Sequence, residues 1–271
     1  AQRATSATTA VNGSYQTLDR WRFFESTDGT FTTAQTALSL ADQASTGGQT
    51  HALDIQVTGA DTSIGAGQFA FVSQFVEAQN CQHLKFGTSS AVDLTLQFYV
   101  KSNLTGTTCG WISKEDSPFC QAPFEFTINS ANTWEKKTVT IPANAVIQDS
   151  SNAITNDNGK GVGVSFALAL GDNFDNGTNL TWENGAASYC TGNQINFMSS
   201  TSNDLFITGV QLEVGSGASD YEHLPFDVEL ERCRRYLQRI DASGTDYGAL
   251  GIGAAANATS SVGVYRLNPN M

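Results

Sequence analysis

The chain has 271 residues, of which 40% are apolar and 10% aromatic but only 15% charged, so a sizeable core can be buried beneath a skin of Ser, Thr, Asn, Gln and Gly. Fourteen Lys and Arg against 26 Asp and Glu give a formal net charge of -12, which opposes contact with phosphate backbones and anionic membrane surfaces and argues against nucleic acid as a partner. No apolar stretch has the length of a membrane span, residues 1–9 lack the basic and apolar regions of a secretion signal, and the absence of an initiator Met makes the sequence read as part of a longer polypeptide.

From Leu18 to Gly215, short runs rich in Val, Ile, Phe, Thr and Leu alternate with polar residues and are bounded by Gly, Asn, Asp and Ser. Strands are expected at Leu18–Glu25, His51–Thr58, Phe69–Glu77, Leu94–Ser102, Thr107–Ser113, Phe124–Ile128, Glu135–Ile141, Val162–Leu170 and Phe206–Val214. In the fourth of these, Leu94, Leu96, Phe98 and Val100 point one way and Thr95, Gln97 and Tyr99 the other, as a half-buried antiparallel strand requires. Many such strands at short spacing predict a mainly β chain folded as a jelly-roll β-sandwich over residues 1–222. Trp21 and Trp134, inside strand-like stretches, are expected in the core.

After Pro225 the pattern changes to good helix formers, with Asp227 as the expected N-cap, acids early and Arg234, Arg235 and Arg239 late, predicting a helix over Asp227–Ile240 within a linker segment 223–241. Phe226, Leu230, Cys233, Leu237 and Ile240 recur at spacings of four, three, four and three, the pattern of a coiled-coil seam, which is buried either between chains or against the chain's own sandwich. Residues 242–271 begin Gly- and Ala-rich and then alternate again from Val262, as the start of a C-terminal β domain.

Three stretches, LDRWRFFESTDG (18–29), SANTWEKKTVTIP (130–142) and FITGVQLEVGSGASDYEHLPFDVELERCRRY (206–236), together resemble bacteriophage tail-fibre and virion structural proteins with a carbohydrate-binding-module-like jelly roll and a short helix. The resemblance implies a jelly-roll sandwich, homotrimeric assembly with other virion proteins, location on the virion as a tail fibre or similar appendage, and a role in binding host-surface glycans. It favours the trimer for the helix seam. The N-terminal N-G-x-F strand of that family has no counterpart here. A capsid decoration protein and a glycan depolymerase are the alternatives, but no parallel β-helix repeat is visible.

For the sugar contact itself, aromatic faces and nearby amides or carboxylates are needed. The stretch 171–190 is richest in them, with Asp172, Asn173, Phe174, Asp175, Trp182 and Tyr189; the same residues would serve simply to fold the loop. Trp111, on an expected hairpin, is a second exposed-aromatic candidate. Asp172, Asp175 and neighbouring carbonyls offer oxygen ligands for calcium, although their spacing is not that of an EF-hand loop, and no other cofactor is expected. The five cysteines form no C-x-x-C pair and His51, His83 and His223 have no metal spacing. A nucleophile elbow and a phosphate loop are both missing, so the chain is expected not to be an enzyme. Cys109 and Cys120 flank the turn-forming stretch Lys114–Pro118, and a hairpin symmetric about Lys114 and Glu115 would set them opposite each other as a disulfide.

Overall fold

The computed structural model describes residues 6–18, 20–185, 187–235, 253–257 and 260–263. The strands are β1 (Thr8–Thr9), β2 (Trp21–Glu25), β3 (Thr30–Ala37), β4 (His51–Gly59), β5 (Phe69–Glu77), β6 (Leu94–Ser102), β7 (Gly106–Lys114), β8 (Cys120–Ile128), β9 (Glu135–Ile141), β10 (Lys160–Leu170), β11 (Glu183–Asn184), β12 (Asp204–Val214), β13 (Gly253–Asn257) and β14 (Ser260–Gly263), with helices α1 (Leu40–Ser45), α2 (Ala145–Gln148) and α3 (Phe226–Arg234). Two antiparallel six-stranded sheets run β1-β3-β4-β12-β6-β9 and β11-β8-β7-β10-β5-β2, and β13 pairs with β14 separately. The chain crosses between the two large sheets after β1, β2, β4, β5, β6, β8, β9 and β11, which makes the fold a jelly-roll sandwich. Two compact units are present, one extending to His223 and the other beginning at Leu224.

The inner faces supply one continuous core, in which Phe166 of β10 has ring centroids 4.9 Å from Phe98, 6.2 Å from Trp21 and Phe124 and 6.3 Å from Phe126. Gly110 makes this packing possible, since a Cβ there would lie 2.3 Å from the Ser165 carbonyl and 2.5 Å from the Phe124 ring. β6 alternates as expected, with Leu94, Leu96, Phe98 and Val100 fully buried inward. Thr95 and Gln97, expected on an open face, are buried as well, because the segment after β12 lies over them: Thr95 donates to the Gly215 carbonyl at 2.6 Å and Gln97 to that of Ser219 at 2.8 Å.

Trp134 is half-buried outside the core. Its Nε1 donates to Asp42 of α1 at 2.7 Å, its ring meets Phe206 at 6.4 Å, and the Lys101 ammonium sits 5.0 Å from both ring centroids and 3.5 Å from Asp42. This cluster pins the β3–β4 connection to the outside of the first sheet.

Cys109 and Cys120 do not face each other, and both are free thiols. The hairpin closes at Lys114 opposite Cys120, so that Cys109 stands opposite Glu125. Side chains alternate along a strand. Cys120 therefore shares the core side with Ile112 and Ala122, while Cys109 shares the outer side with Trp111. The tip is organised by Lys114, which is fully buried and donates to the carbonyls of Asp116 and Pro118 at 2.9 and 2.7 Å.

In the second unit, α3 starts at Phe226, with Pro225 rather than Asp227 in the N-cap position. Leu230 is half-buried, Cys233 is buried and Phe226 is 80% exposed. Leu237 and Ile240 lie outside the described residues.

Replacing Phe166 by Ala should lower the unfolding free energy by about 3–5 kcal/mol in urea denaturation, the range for deleting a buried ring. A loss below about 1 kcal/mol would contradict its central place in the core.

Candidate functional site

The second sheet is apolar on both sides. Along β5, Ala70 and Val72 join the core while Phe69 and Phe71 pack outward against a second cluster with Cys109, Trp111, Ala167, Leu170 and Cys190. The pairing register lays these outward residues in rows across the sheet. Phe24 stands opposite Phe71; the next row reads Arg22, Ser73, Ser165, Trp111 and Pro123; the third brings Phe75, Gly163, Ser113 and Gln121 together.

Aromatic rings run across this face without a break. Phe24 stacks on Phe71 at 4.5 Å and 17°, Phe71 meets Trp111 at 4.9 Å, Trp111 meets Tyr189 at 5.0 Å, and Tyr189 meets Phe119 at 6.0 Å. Phe69 and Phe174 close a branch from Phe71 back to Tyr189, at 5.6, 5.8 and 5.9 Å. Phe24, Phe69, Phe71, Phe75, Phe119, Phe174 and Tyr189 are all half-buried, each showing part of its ring to solvent. Between Phe71 and Phe75 the small residues Ser73 and Ser165 bond hydroxyl to hydroxyl at 2.6 Å.

The segment between β10 and β12 supplies Phe174 and Tyr189, and its fastening explains their position. Cys190 donates its amide to Phe174 at 3.0 Å, Gly177 donates to Cys190 at 2.8 Å, and Asp175 pairs with Ser188. Thr191 and Asn193 donate to the Glu125 carboxylate at 2.6 and 3.1 Å. The Cys109 sulfur lies 3.3 Å from the Thr191 hydroxyl. The neighbouring Cys190 thiol, with Thr191, holds the Cys109 thiol below its ordinary range despite burial, whereas burial pushes Cys190 up.

Of the residues singled out from the sequence, Trp111, Phe174 and Tyr189 come together on this face. Trp111 is not exposed, however: at 3% accessibility it is the floor beneath Phe71 and Tyr189 rather than a surface ring. Trp182 belongs elsewhere. It is 1% exposed, packs edge-on to Phe86 at 5.3 Å and plugs the main core, so it offers nothing to a ligand. Asp172 and Asn173 are exposed on the loop and Asp175 is half-buried. The Asp172 carbonyl already accepts from Asn176 at 2.7 Å, and among the described residues no three His, Cys, Asp or Glu side chains converge as a metal would require.

Sequence reasoning missed the larger part of the face: Arg22, Phe24, Phe69, Phe71, Phe75, Glu115 and Lys160. The available signal was FAFVSQF in β5, where both alternate positions carry apolar residues and so announce two covered faces. Lys160 lies with its ammonium 4.0 Å from the centre of the Phe75 ring; burial pulls its pKa down, Glu115 opposes that and Arg22 adds to it. Burial, then the charge of Glu115, push the Tyr189 hydroxyl up.

No protein-family model matches the sequence, and no curated protein matches it. Among solved structures, the chain is similar to a carbohydrate-binding module of family CBM4, at 14% identity over 72% of this chain and 94% of that one, with a TM-score of 0.35. It is similar to the family 11 carbohydrate-binding module of the cellulosomal cellulase Lic26A-Cel5E of Clostridium thermocellum, at 10% identity over 81% and 99%, with a TM-score of 0.38. It is also similar to the enzymatically active domain of tailspike protein 4 of bacteriophage CBA120, at 12% identity over 72% of this chain but 19% of that one, with a TM-score of 0.36.

Treatment with a thiol oxidant should link Cys109 to Cys190 beneath the loop, detected as a crosslinked pair of peptides by mass spectrometry. Recovery of a Cys109–Cys120 pair instead would contradict the register of β7 against β8.

Proposed function

We propose that the outward face of the second sheet binds a carbohydrate chain, and that the module serves this purpose on a phage tail fibre or similar virion appendage. The observation that carries the binding reading is the run of half-exposed rings from Phe24 to Phe119, held by a fastened loop on a protein otherwise covered with neutral polar residues. Pyranose rings have one apolar face that stacks on such side chains, while their hydroxyls need the polar groups that edge the strip, here Glu115 and Asn173. The virion setting rests on the likeness of the three sequence stretches to tail-fibre proteins.

Binding without cleavage is the activity proposed. A glycosidase works with two carboxylates placed about the scissile bond. On this face Glu125 is occupied by Thr191 and Asn193, and Glu115 receives the Ser113 hydroxyl at 2.5 Å. Assembly as a homotrimer through α3 is part of the same proposal, supported by the apolar stripe of which Leu230 and Cys233 are described.

In a screen of immobilised polysaccharides, Phe71→Ala and Tyr189→Ala should each weaken binding at least about tenfold, the loss of one central anchor. Trp134→Ala, on the other sheet, should leave binding unchanged. The reverse result would move the site to the first sheet, and circular dichroism would confirm that each variant is folded. Separately, Leu230→Asp should turn the trimer into a monomer by light scattering with the β-signal intact; a native protein already monomeric would end the assembly proposal.

A further inference from the structure

Among the side chains that border the aromatic strip, two are cations, in a protein that has 14 Lys and Arg against 26 Asp and Glu. Arg22 extends outward from β2, its guanidinium carbon 4.8 Å from the centre of the Phe24 ring and 5.9 Å from that of Tyr15. Its Nε donates to the Gly13 carbonyl at 2.8 Å, which fixes the group in place. Lys160 opens β10, with its ammonium over Phe75. Neither has an anion within ion-pair distance among the described residues. Lys101 and Lys137, by contrast, are bridged to Asp42 and Glu135 at 3.5 and 2.6 Å.

We infer, on the reading that this face binds a carbohydrate, that its ligand is an acidic glycan, a chain whose sugars carry carboxylates of the hexuronate type, with Arg22 and Lys160 as the groups that recognise the acid. The rings of Phe24 and Phe75 orient the two cations without neutralising them. Arg22 stands opposite Ser73 and Lys160 opposite Glu77, four residues further along β5, and a carboxylate placed between them gains charge-assisted hydrogen bonds from the guanidinium fork. Glu115 is the acid that acts on Lys160 from the neighbouring hairpin. With Glu77, which stands opposite Lys160 in the register of β5 and β10, it sets acids beside the cations, and its remaining lone pairs are open to sugar hydroxyls. The geometry suits a polymer: Phe71 and Phe75 stand four residues apart on one strand face, about 13 Å, so successive sugars can lie on successive rings while their carboxylates meet the basic border. The negative field of the rest of the molecule opposes the approach of any polyanion, so cations held over rings at a ring-lined face are a specific provision against that field.

The test compares a panel of hexuronate polymers (polygalacturonate, alginate and hyaluronate) with their methyl-esterified, uncharged counterparts, using the full chain and calorimetry at low and at 0.5 M salt. At low salt at least one polymer should bind at least tenfold more tightly than its ester, and the preference should shrink at high salt. Lys160→Gln and Arg22→Gln should each reduce the preference of acid over ester severalfold, and together abolish it. Urea midpoints establish that each variant is folded; since Arg22 also ties down Gly13, Lys160→Gln carries the conclusion if Arg22→Gln does not fold. Equal binding of acid and ester, or a preference that survives the folded variants, overturns the acidic-ligand inference and leaves the glycan reading standing. Binding only to neutral glycans does the same. If no glycan binds, charged or neutral, and Phe71→Ala changes nothing, the glycan reading falls with it.

Discussion

From Gly161 to Leu170 every residue of β10 is buried, and β10 lies between β5 and β7 in the middle of its sheet. A strand covered on both sides needs apolar or small residues on both sides, and each side needs something to cover it. The inner side is met by the opposing sheet. The outer side would otherwise expose Phe71, Ala167 and Trp111 as one contiguous apolar area, which soluble proteins seldom leave open without a use. The loop that follows β10 returns across this surface, and its depth is set by Glu125, the one carboxylate among the outward residues of β8, whose oxygen collects Thr191 and Asn193. Loop and rings are thus consequences of one requirement, the burial of β10.

The first sheet solves the same problem with polar chemistry. Its outer side is crossed by the residues after β12 and by the β3–β4 connection, joined to it through Thr95, Gln97, Tyr99, Lys101 and Trp134. Gly47 comes so close to Tyr99 that a Cβ there would sit 3.0 Å from the phenolic oxygen, and its backbone has a φ of 67°, which favours glycine. Apolar rings in a strip mark one side of the sandwich and hydrogen-bonded straps the other. That asymmetry distinguishes the outer faces of the two sheets.

Much of this was legible. The alternation in β6 and the apolar run of β10 define strands by themselves, and the expected ranges for β4, β5, β6, β7, β9, β10 and β12 agree with the observed ones to within two residues at either end. β3 escaped notice because TFTTAQTA holds a single large apolar side chain, Phe31, and relies on the preference of threonine for extended backbone. The first half of β8 was hidden by Pro123, which is tolerated because β8 has only the two-residue β11 beyond it. Of the outward face only one edge was legible: composition pointed to the loop carrying Phe174 and Tyr189, whereas Phe24 and Phe71 join it only through strand pairing. The disulfide expectation failed on a shift of register, since parity along β7 and β8 decides which side of the sheet a cysteine occupies.

The alternation of β2, β5 and β10 has an evolutionary corollary. Positions 23, 70, 72, 162, 164 and 166 face the core, and positions 22, 24, 71 and 75 face the aromatic strip, yet the two sets interleave on the same few strands. Selection can therefore rewrite the outward set, exchanging a ring for an amide or a cation for an acid, while the inward set continues to specify the sandwich. On a scaffold of this kind change at the outward surface leaves the inward pattern intact, and the record of such drift would be concentrated in every second residue.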